Sequence, residues 1–152
     1  MNNINVGLVV MIESPYSGDI DRNIRYLHLT LFDSMINHDE CAYASHAYMT
    51  QHPRHKTFFV SDYDKKWDVL SREGAITRSQ LMRKRCDKTV FYTDRGWSSG
   101  MKSAKKYCED NSLPYEERSV DVNQLSDKIS FLSKDFCEAV INDKPYEEFF
   151  MN

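Results

Sequence analysis

The chain has 152 residues, 41% of them hydrophobic and 12% aromatic, which is enough for one folded domain with a single core. A formal net charge of −3 excludes a strongly basic nucleic-acid-binding protein, so we expect no nucleic-acid polymer as partner. No apolar segment approaches the roughly 20 residues that span a bilayer, and the first residues lack the features of a signal peptide. We therefore expect a cytoplasmic protein without a membrane partner.

The cysteines do not indicate a metal site. Cys41, Cys86, Cys108 and Cys137 are far apart and form no CxxC pair, whereas zinc sites usually contain closely spaced ligands. We expect reduced and mostly buried thiols, with no metal and no cofactor.

In the first half of the chain, apolar runs alternate with amphipathic patterns. Residues 6–12 form a continuous apolar run, which is typical of a strand covered on both faces, and residues 41–45 predict a second strand. Residues 46–60 predict a loop with a short helical piece. Helical spacing predicts a first helix with the inner face Ile20, Ile24, Leu27, Leu31 and Met35, and a second over 64–85 with the inner face Trp67, Leu70, Gly74, Thr77 and Leu81.

The second half continues this alternation. It predicts a strand over 88–93, a helix over 99–109 and an edge-like strand that starts at Leu113-Pro114-Tyr115 and runs to Val120, since Pro suits the start or edge of a strand. One last helix, which ends before Pro145, is predicted from the shared face of Leu125, Ile129, Leu132, Phe136 and Val140. The whole pattern predicts an α/β domain over residues 1–144 with a four- or five-stranded, mainly parallel sheet between helices, followed by an aromatic tail at 145–152.

Three predicted strands end in small, polar or aromatic residues. These ends are residues 13–19, Ser45 with His46, and residues 92–101. Ligands collect at the carboxyl ends of strands in open α/β sheets, and free N–H groups at helix N-termini favour anions. The sequence therefore predicts one pocket suited to a sugar or nucleotide.

Each residue of the third strand end has two interpretations. An acid at Asp94 is placed to bind ribose hydroxyls, or it bonds its own backbone in a turn. Ser98 and Ser99 donate to a phosphate or cap the next helix. Arg95 and Trp97 clamp a phosphate and a base, or they are a solvated cation and a cap on the core.

The other two strand ends leave similar alternatives open. Tyr16 stacks on a base or closes the top of the core, and His46 contacts phosphate, acts as an acid or base, or is structural. Glu13 is an alternative carboxylate or only a strand-end residue. The basic residues of the second and third helices are solvated faces or a weak patch for anions.

Several short motifs occur in an order that resembles the nucleoside 2-deoxyribosyltransferase-like superfamily, in particular small members from bacteriophages. These motifs are Ser14-Pro15-Tyr16-x-Gly18-Asp19-x-x-x-Asn23, Ala44-Ser45-His46-x-x-x-Thr50-Gln51, Arg72-Glu73-x-x-Ile76, Arg85-Cys86-Asp87 and Asp94-x-Gly96-x-Ser98-x-Gly100-Met101. The resemblance covers about residues 5–120. It implies a Rossmann-like three-layer sandwich, a nucleoside or nucleotide pocket at the strand ends, and a homo-oligomer, with a dimer as the default.

The resemblance breaks at the residue that carries the family's chemistry. In the enzymes, a glutamate at or just after a Gly-Met pair attacks the anomeric carbon of the sugar. Here Gly100-Met101 is followed by Lys102, and the next acid is Glu109, about 12 Å further along a helix. A lysine cannot form the glycosyl ester, so the covalent reaction is not expected.

We therefore expect a non-catalytic protein that binds a small nucleotide-type ligand, for instance a phage protein in the host cytoplasm that sequesters a nucleotide immune signal. The predicted ligand-binding residues are Ser14, Tyr16, Gly18, Asn23, Ser45, His46, Asp94, Arg95, Trp97, Ser98, Ser99, Gly100 and Met101. The alternative is an N-glycosidase, transferase or nucleotide hydrolase that uses Asp94, Glu13 and His46. A third hypothesis is a protein-binding module that uses the aromatic tail. Residues 46–63 are expected to reach over the pocket of their own or of a neighbouring subunit.

Overall fold

The computed structural model describes residues 7–45 and 72–144, and its centre is a four-stranded parallel sheet. The strands lie in the order β2-β1-β3-β4 and are β1 (Val9–Glu13), β2 (Cys41–Tyr43), β3 (Lys88–Tyr92) and β4 (Tyr115–Arg118). The α-helices are α1 (Ile20–Phe32), α2 (Arg72–Arg85), α3 (Ser99–Asp110), α4 (Val122–Lys128) and α5 (Lys134–Ile141). The predicted α/β fold is confirmed, with four strands that are all parallel.

Successive side chains of a strand point to opposite faces of the sheet, and this alternation produces two apolar layers. Val10 and Ile12 of β1 lie in the larger core with Val90 and Tyr92 of β3, under α1, α4 and α5. Phe91 of β3 faces the opposite way and packs with α3 in a smaller cluster. The sheet therefore has helices on both faces, as in a Rossmann-like sandwich.

The predicted last helix is wrong, because the structure contains two shorter helices there. α4 ends at Lys128, and Ile129 has extended backbone angles. The Ser133 side chain then accepts a hydrogen bond from the Phe136 N–H and caps α5. The apolar residues that predicted one helix still pack in or against the larger core: Leu125, Ile129, Leu132, Phe136 and Val140. Two shorter helices therefore give the same inward-facing spacing as one long helix.

The predicted inner face of the first helix is correct only in part. Its fully buried residues include Tyr26, Leu27 and Thr30, two of which carry hydroxyls that a hydropathy pattern does not count. At its C-terminal end, α1 widens into a π-helical turn over Asp33–Asn37. This turn changes the angular phase of the helix, and Met35 is 44% exposed as a result.

The predicted inner face of the second helix is wrong over its described part. Leu81 is 54% exposed and Thr77 is also exposed, whereas Arg83 is buried. The burial of Arg83 matters for the candidate site, because Arg83 contacts Glu13 there.

Two further properties concern the thiols and the helices. Cys108 and Cys137 are buried, Cys86 is half-buried and Cys41 is exposed, and all four are free. Burial raises the pKa of the Cys137 thiol to about 11. Across the two described ranges, none of the helices has the length and apolar character that a bilayer span requires.

Candidate functional site

The sheet order separates the chain segments that follow β1 and β3, and we call the point between them, at the carboxyl ends of these strands, the crevice. These strands are neighbours, but the helix after β1 packs on one face of the sheet and the helix after β3 packs on the other. The two chain segments that leave these strands therefore diverge, and ligands bind at such a point in open α/β sheets. Here the segments are residues 14–19 and 93–98, both of which belong to the predicted site.

Ser14 lies directly after β1, at the start of this crevice. Its side chain is fully buried, and its Oγ has no hydrogen-bond partner among the residues that the structure describes. A buried hydroxyl without a partner costs about 1–3 kcal/mol. Ser14 is therefore a polar group with an unused capacity to donate and to accept.

Glu13, the last residue of β1, pairs with a cation from α2. Its Oε1 lies 2.5 Å from Nη2 of Arg83, and the side chains are 7% and 2% exposed. The same guanidinium donates from Nη1 to Thr89 Oγ1 at 3.0 Å and from Nε to Gln80 Oε1 at 2.8 Å. Sequence reasoning missed Arg83, because nothing distinguishes it from the neighbouring exposed Lys84 and Arg85.

The loop between β1 and α1 is shaped by Asn23. Its Nδ2 donates to the carbonyls of Tyr16 and Ser17, at 3.0 and 2.9 Å. Gly18 has a φ of +99°, a conformation that a residue with a Cβ rarely adopts, and Asp19 caps α1. Asn23 and Gly18, both predicted ligand contacts, thus fix the path of this loop, while the half-buried Tyr16 lies on it.

Asp94 is held by protein groups. Its carboxylate accepts from the Tyr26 hydroxyl at 2.6 Å and from the Val120 N–H at 3.1 and 3.2 Å. Burial raises the pKa of Tyr26, and the Asp94 charge raises it further, so the phenol stays a donor. These contacts join α1 to the ends of β3 and β4. Because the Val120 N–H bonds to Asp94, it is not available to the sheet. β4 ends at Arg118 rather than at the predicted residue 120.

Arg95 is likewise committed within the fold. Its guanidinium pairs with both oxygens of Asp143 after α5, and it lies 5.8 Å from the centre of the Tyr26 ring. Its side chain is 13% exposed. Arg95 therefore ties the end of α5 to the turn after β3.

The remainder of this turn leads into α3. Trp97 packs on Phe91 with ring centroids 5.1 Å apart, and Ser98 accepts from the Met101 N–H and caps the helix. Met101 is buried in the smaller cluster, whereas Ser99 and Gly100 are exposed at the first two helical positions. The first turn of α3 carries no acid, which is favourable for an anion.

The end of β2 is described only up to Ser45, which is buried. His46 lies outside the described residues, as do the predicted loop and cover over 46–63, the first part of the predicted second helix and the aromatic tail at 145–152. These predictions stay predictions.

We expect Asp94→Asn to lower the free energy of unfolding by about 1–3 kcal/mol, because an amide presents a single acceptor to Tyr26 and Val120. Urea unfolding measures the loss. If Asp94 were only a ligand contact, the variant would lose ligand affinity while its free energy of unfolding stayed unchanged. That outcome would contradict the structural role that we assign to Asp94.

The sequence model of one protein family, described as a domain of unknown function (DUF7768), matches residues 8–118. The match covers all four strands of the sheet and the whole crevice. Searches of curated proteins and of solved structures gave no significant match.

Proposed function

Because this chain belongs to the DUF7768 family, whose function is unknown, we propose from its own crevice that it binds a nucleotide- or nucleoside-type ligand without turning it over. The observation that carries this proposal is the buried Ser14 hydroxyl at the point where the segments after β1 and β3 diverge. It lacks a hydrogen-bond partner within residues 7–45 and 72–144. Ligand hydroxyls, amines and phosphate oxygens can all bond to such a group.

The surroundings of Ser14 support a ligand with an anionic part. The exposed start of α3, with Ser99, Gly100 and Lys102, offers backbone donors and a cation in its first turn. Asp19 caps α1 and Asp21 lies in its first turn, so the two helix starts differ in charge. A phosphate is therefore favoured at α3, and the uncharged part of the ligand at Ser14 and Tyr16.

Binding without turnover is supported by the state of the carboxylates. Asp94 is engaged by Tyr26 and Val120, and Glu13 is engaged by Arg83. Lys102 follows the Gly-Met pair at the place where the enzymes that the sequence resembles carry their nucleophile. Glu109 accepts a hydrogen bond from Tyr115 at the other end of α3. The covalent reaction of the nucleoside 2-deoxyribosyltransferases would therefore lack its glutamate at the position that the resemblance indicates.

Sequestration of a nucleotide signal, such as a cyclic oligonucleotide or an ADP-ribose derivative, is a use that fits such binding. The protein is incubated with each candidate, washed and heated, and the released material is analysed by mass spectrometry. We expect release of the intact compound. Recovery of a free base or another cleavage product would contradict non-catalytic binding and favour the enzyme hypothesis.

We expect Ser14→Ala to weaken binding of the retained nucleotide about tenfold, through loss of one hydrogen bond. Stability should not fall, because the substitution removes a buried hydroxyl that no other described residue bonds to. Titration calorimetry measures the affinity, and urea unfolding measures the stability.

The matched control is Ser34→Ala, which removes another fully buried hydroxyl. Ser34 Oγ donates to Glu40 at 2.8 Å, away from the crevice. This variant should lose stability and retain its affinity. Equal affinities of the wild-type protein and Ser14→Ala would overturn the assignment of Ser14.

A further inference from the structure

Asp143, which follows α5, occupies a position that is unfavourable for an acid. Its φ is +55°, in the left-handed region where helices commonly end on a glycine. The Lys144 N–H donates to the Ala139 carbonyl at 2.9 Å and closes this helix end. The carboxyl end of a helix also carries a partial negative charge, which repels a carboxylate. Contacts outside α5 must therefore compensate these local costs, and such compensation is common at functional sites.

Two arginines from the two sides of the crevice provide these contacts. Arg95, in the segment after β3, donates from Nη2 to one carboxylate oxygen of Asp143 at 2.7 Å and from Nη1 to the other. Arg22, in the first turn of α1, donates from Nη1 to the Asp143 carbonyl at 2.9 Å. Because α1 follows the segment 14–19 that leaves β1, Asp143 connects the two sides of the crevice.

The guanidinium of Arg95 has the arrangement of a phosphate-binding group. Its paired N–H groups contact Asp143 in the bidentate manner that suits a carboxylate and a phosphate alike. Two further contacts position the cation, because Nη1 reaches the Val140 carbonyl at 3.4 Å and the Tyr26 ring centre lies 5.8 Å away. The Arg95 side chain is 13% exposed and that of Asp143 is 36% exposed, so the carboxylate is the partner nearer to solvent.

The neighbouring carboxylates determine the charge that a ligand needs. Asp19 lies 3.3 Å from Nε of Arg22, so Asp19 and Asp143 together balance the charges of Arg22 and Arg95. Asp94, beside Arg95, is bonded to its own donors. A ligand with one negative charge would only replace one anion with another. A group with at least two negative charges brings more charge than it displaces.

We propose that Arg95 and Arg22 form an anion site of the crevice that Asp143 fills until a ligand binds, and that the ligand displaces Asp143 with a phosphate or diphosphate group carrying at least two negative charges. This assignment rests on the proposed function and narrows its ligand class. The start of α3, later in the same turn, offers donors to further phosphate oxygens. Binding then releases the end of α5 from the turn after β3.

Titration with inorganic pyrophosphate, followed by the amide chemical shifts of residues 93–98, tests this assignment. In Asp143→Asn the affinity should rise about tenfold, because the internal anion is gone and asparagine tolerates the left-handed backbone. Asp143→Gly replaces this variant if it does not fold. Asp110→Asn is the matched control, because Asp110 pairs with Lys106 at the surface and the net charge changes equally. Its affinity should equal that of the wild type.

Arg95→Gln added to Asp143→Asn should abolish the gain, because glutamine cannot make the bidentate contact. Dimethyl phosphate, which carries one negative charge, should bind the wild-type protein at least tenfold more weakly than pyrophosphate. The anion site would be overturned by unchanged affinity in Asp143→Asn, by the same gain in Asp110→Asn, by a gain that survives Arg95→Gln, or by equal affinities for the two probes. Because pyrophosphate contains neither base nor sugar, a wild-type protein that still retains a nucleotide would then overturn the anion site alone and leave the proposed function standing.

Discussion

Replacing Arg118 with methionine is expected to lower the free energy of unfolding by about 3–5 kcal/mol, because it removes the main cation of a buried carboxylate and leaves it only Lys88, 3.4 Å away. Arg118 ends β4, and its guanidinium contacts both oxygens of Glu40 at 2.7 and 3.1 Å. The Tyr92 hydroxyl accepts from it at 3.2 Å, and Glu116 completes the cluster. Glu40 is only 6% exposed, so water cannot replace the lost contacts.

The loss should depend on pH in a defined direction. Burial alone would raise the pKa of Glu40, but hydrogen bonds from Arg118 and Ser34 and the charges of Arg118 and Lys88 lower it below its usual value. Glu40 therefore stabilises the wild-type fold fully above the unfolded pKa of about 4.3, and this contribution is lost as the pH falls through the lower folded value. In Arg118→Met the buried Glu40 is easier to protonate, so the stability difference should shrink as the pH falls from 7 towards 3.

Urea unfolding at several pH values measures both effects. Lys105→Met is the matched control. Lys105, on α3, forms an ion pair at the surface with Glu117, which lies on β4 like Arg118, and the paired atoms are 3.0 Å apart. Solvent screens such an exposed pair, so Lys105→Met should cost much less stability than Arg118→Met. Similar losses in the two variants, or a difference that does not vary with pH, would contradict a buried Arg118–Glu40 pair.

Asp33→Ala is expected to cost a similar amount, about 3–5 kcal/mol, because it leaves several buried donors unsatisfied at about 1–3 kcal/mol each. Asp33 is fully buried in the π-helical turn and accepts from the Tyr92 hydroxyl at 2.6 Å and from the Asp121 N–H at 2.9 Å. The side-chain amide of Asn37 donates to it at 2.7 Å. One carboxylate thus joins α1, β3 and the start of α4.

Burial raises the pKa of the Tyr92 hydroxyl, and its hydrogen bond to Asp33 raises the pKa further. Tyr92→Phe removes one of the donors and should cost about 1–2 kcal/mol, less than Asp33→Ala. Asp127→Ala, at an exposed position of α4, should change stability by less than about 0.5 kcal/mol. If Asp33→Ala were no less stable than Asp127→Ala, Asp33 would not organise this junction.

The fold could be predicted from the sequence because buried parallel strands and amphipathic helices leave local patterns. Runs such as Val90-Phe91-Tyr92 are apolar on both faces of the sheet, and they recur between helical spacings. The break before α5 was missed because Ser133 caps a new helix without interrupting the apolar period. A local pattern shows which side chains face inward, but not where one helix ends and the next begins.

The sequence could predict that residues 14–19 and 93–98 follow strands, but it could not predict the hydrogen-bond partners of the residues within and beside these segments. Residues 14–19 and 93–98 follow neighbouring strands, and the crevice follows from that order. Asp94, however, is held by Tyr26, 68 positions earlier in the chain, and Glu13 is held by Arg83, 70 positions later. Partners at such separations leave no trace in local composition. For this reason Asp94 was interpreted as a ligand contact and Arg83 as a solvated cation.

The most direct test of the proposed binding site is an amide chemical-shift titration of the labelled protein with the nucleotide that it releases intact. We predict that the largest shifts will fall on residues 14–19 and 93–100, at the carboxyl ends of β1 and β3. Gly7, Asp39 and Asp87, at the amino-terminal end of the sheet, should not respond. Shifts concentrated at that amino-terminal end, or failure to retain any nucleotide, would contradict the proposed function.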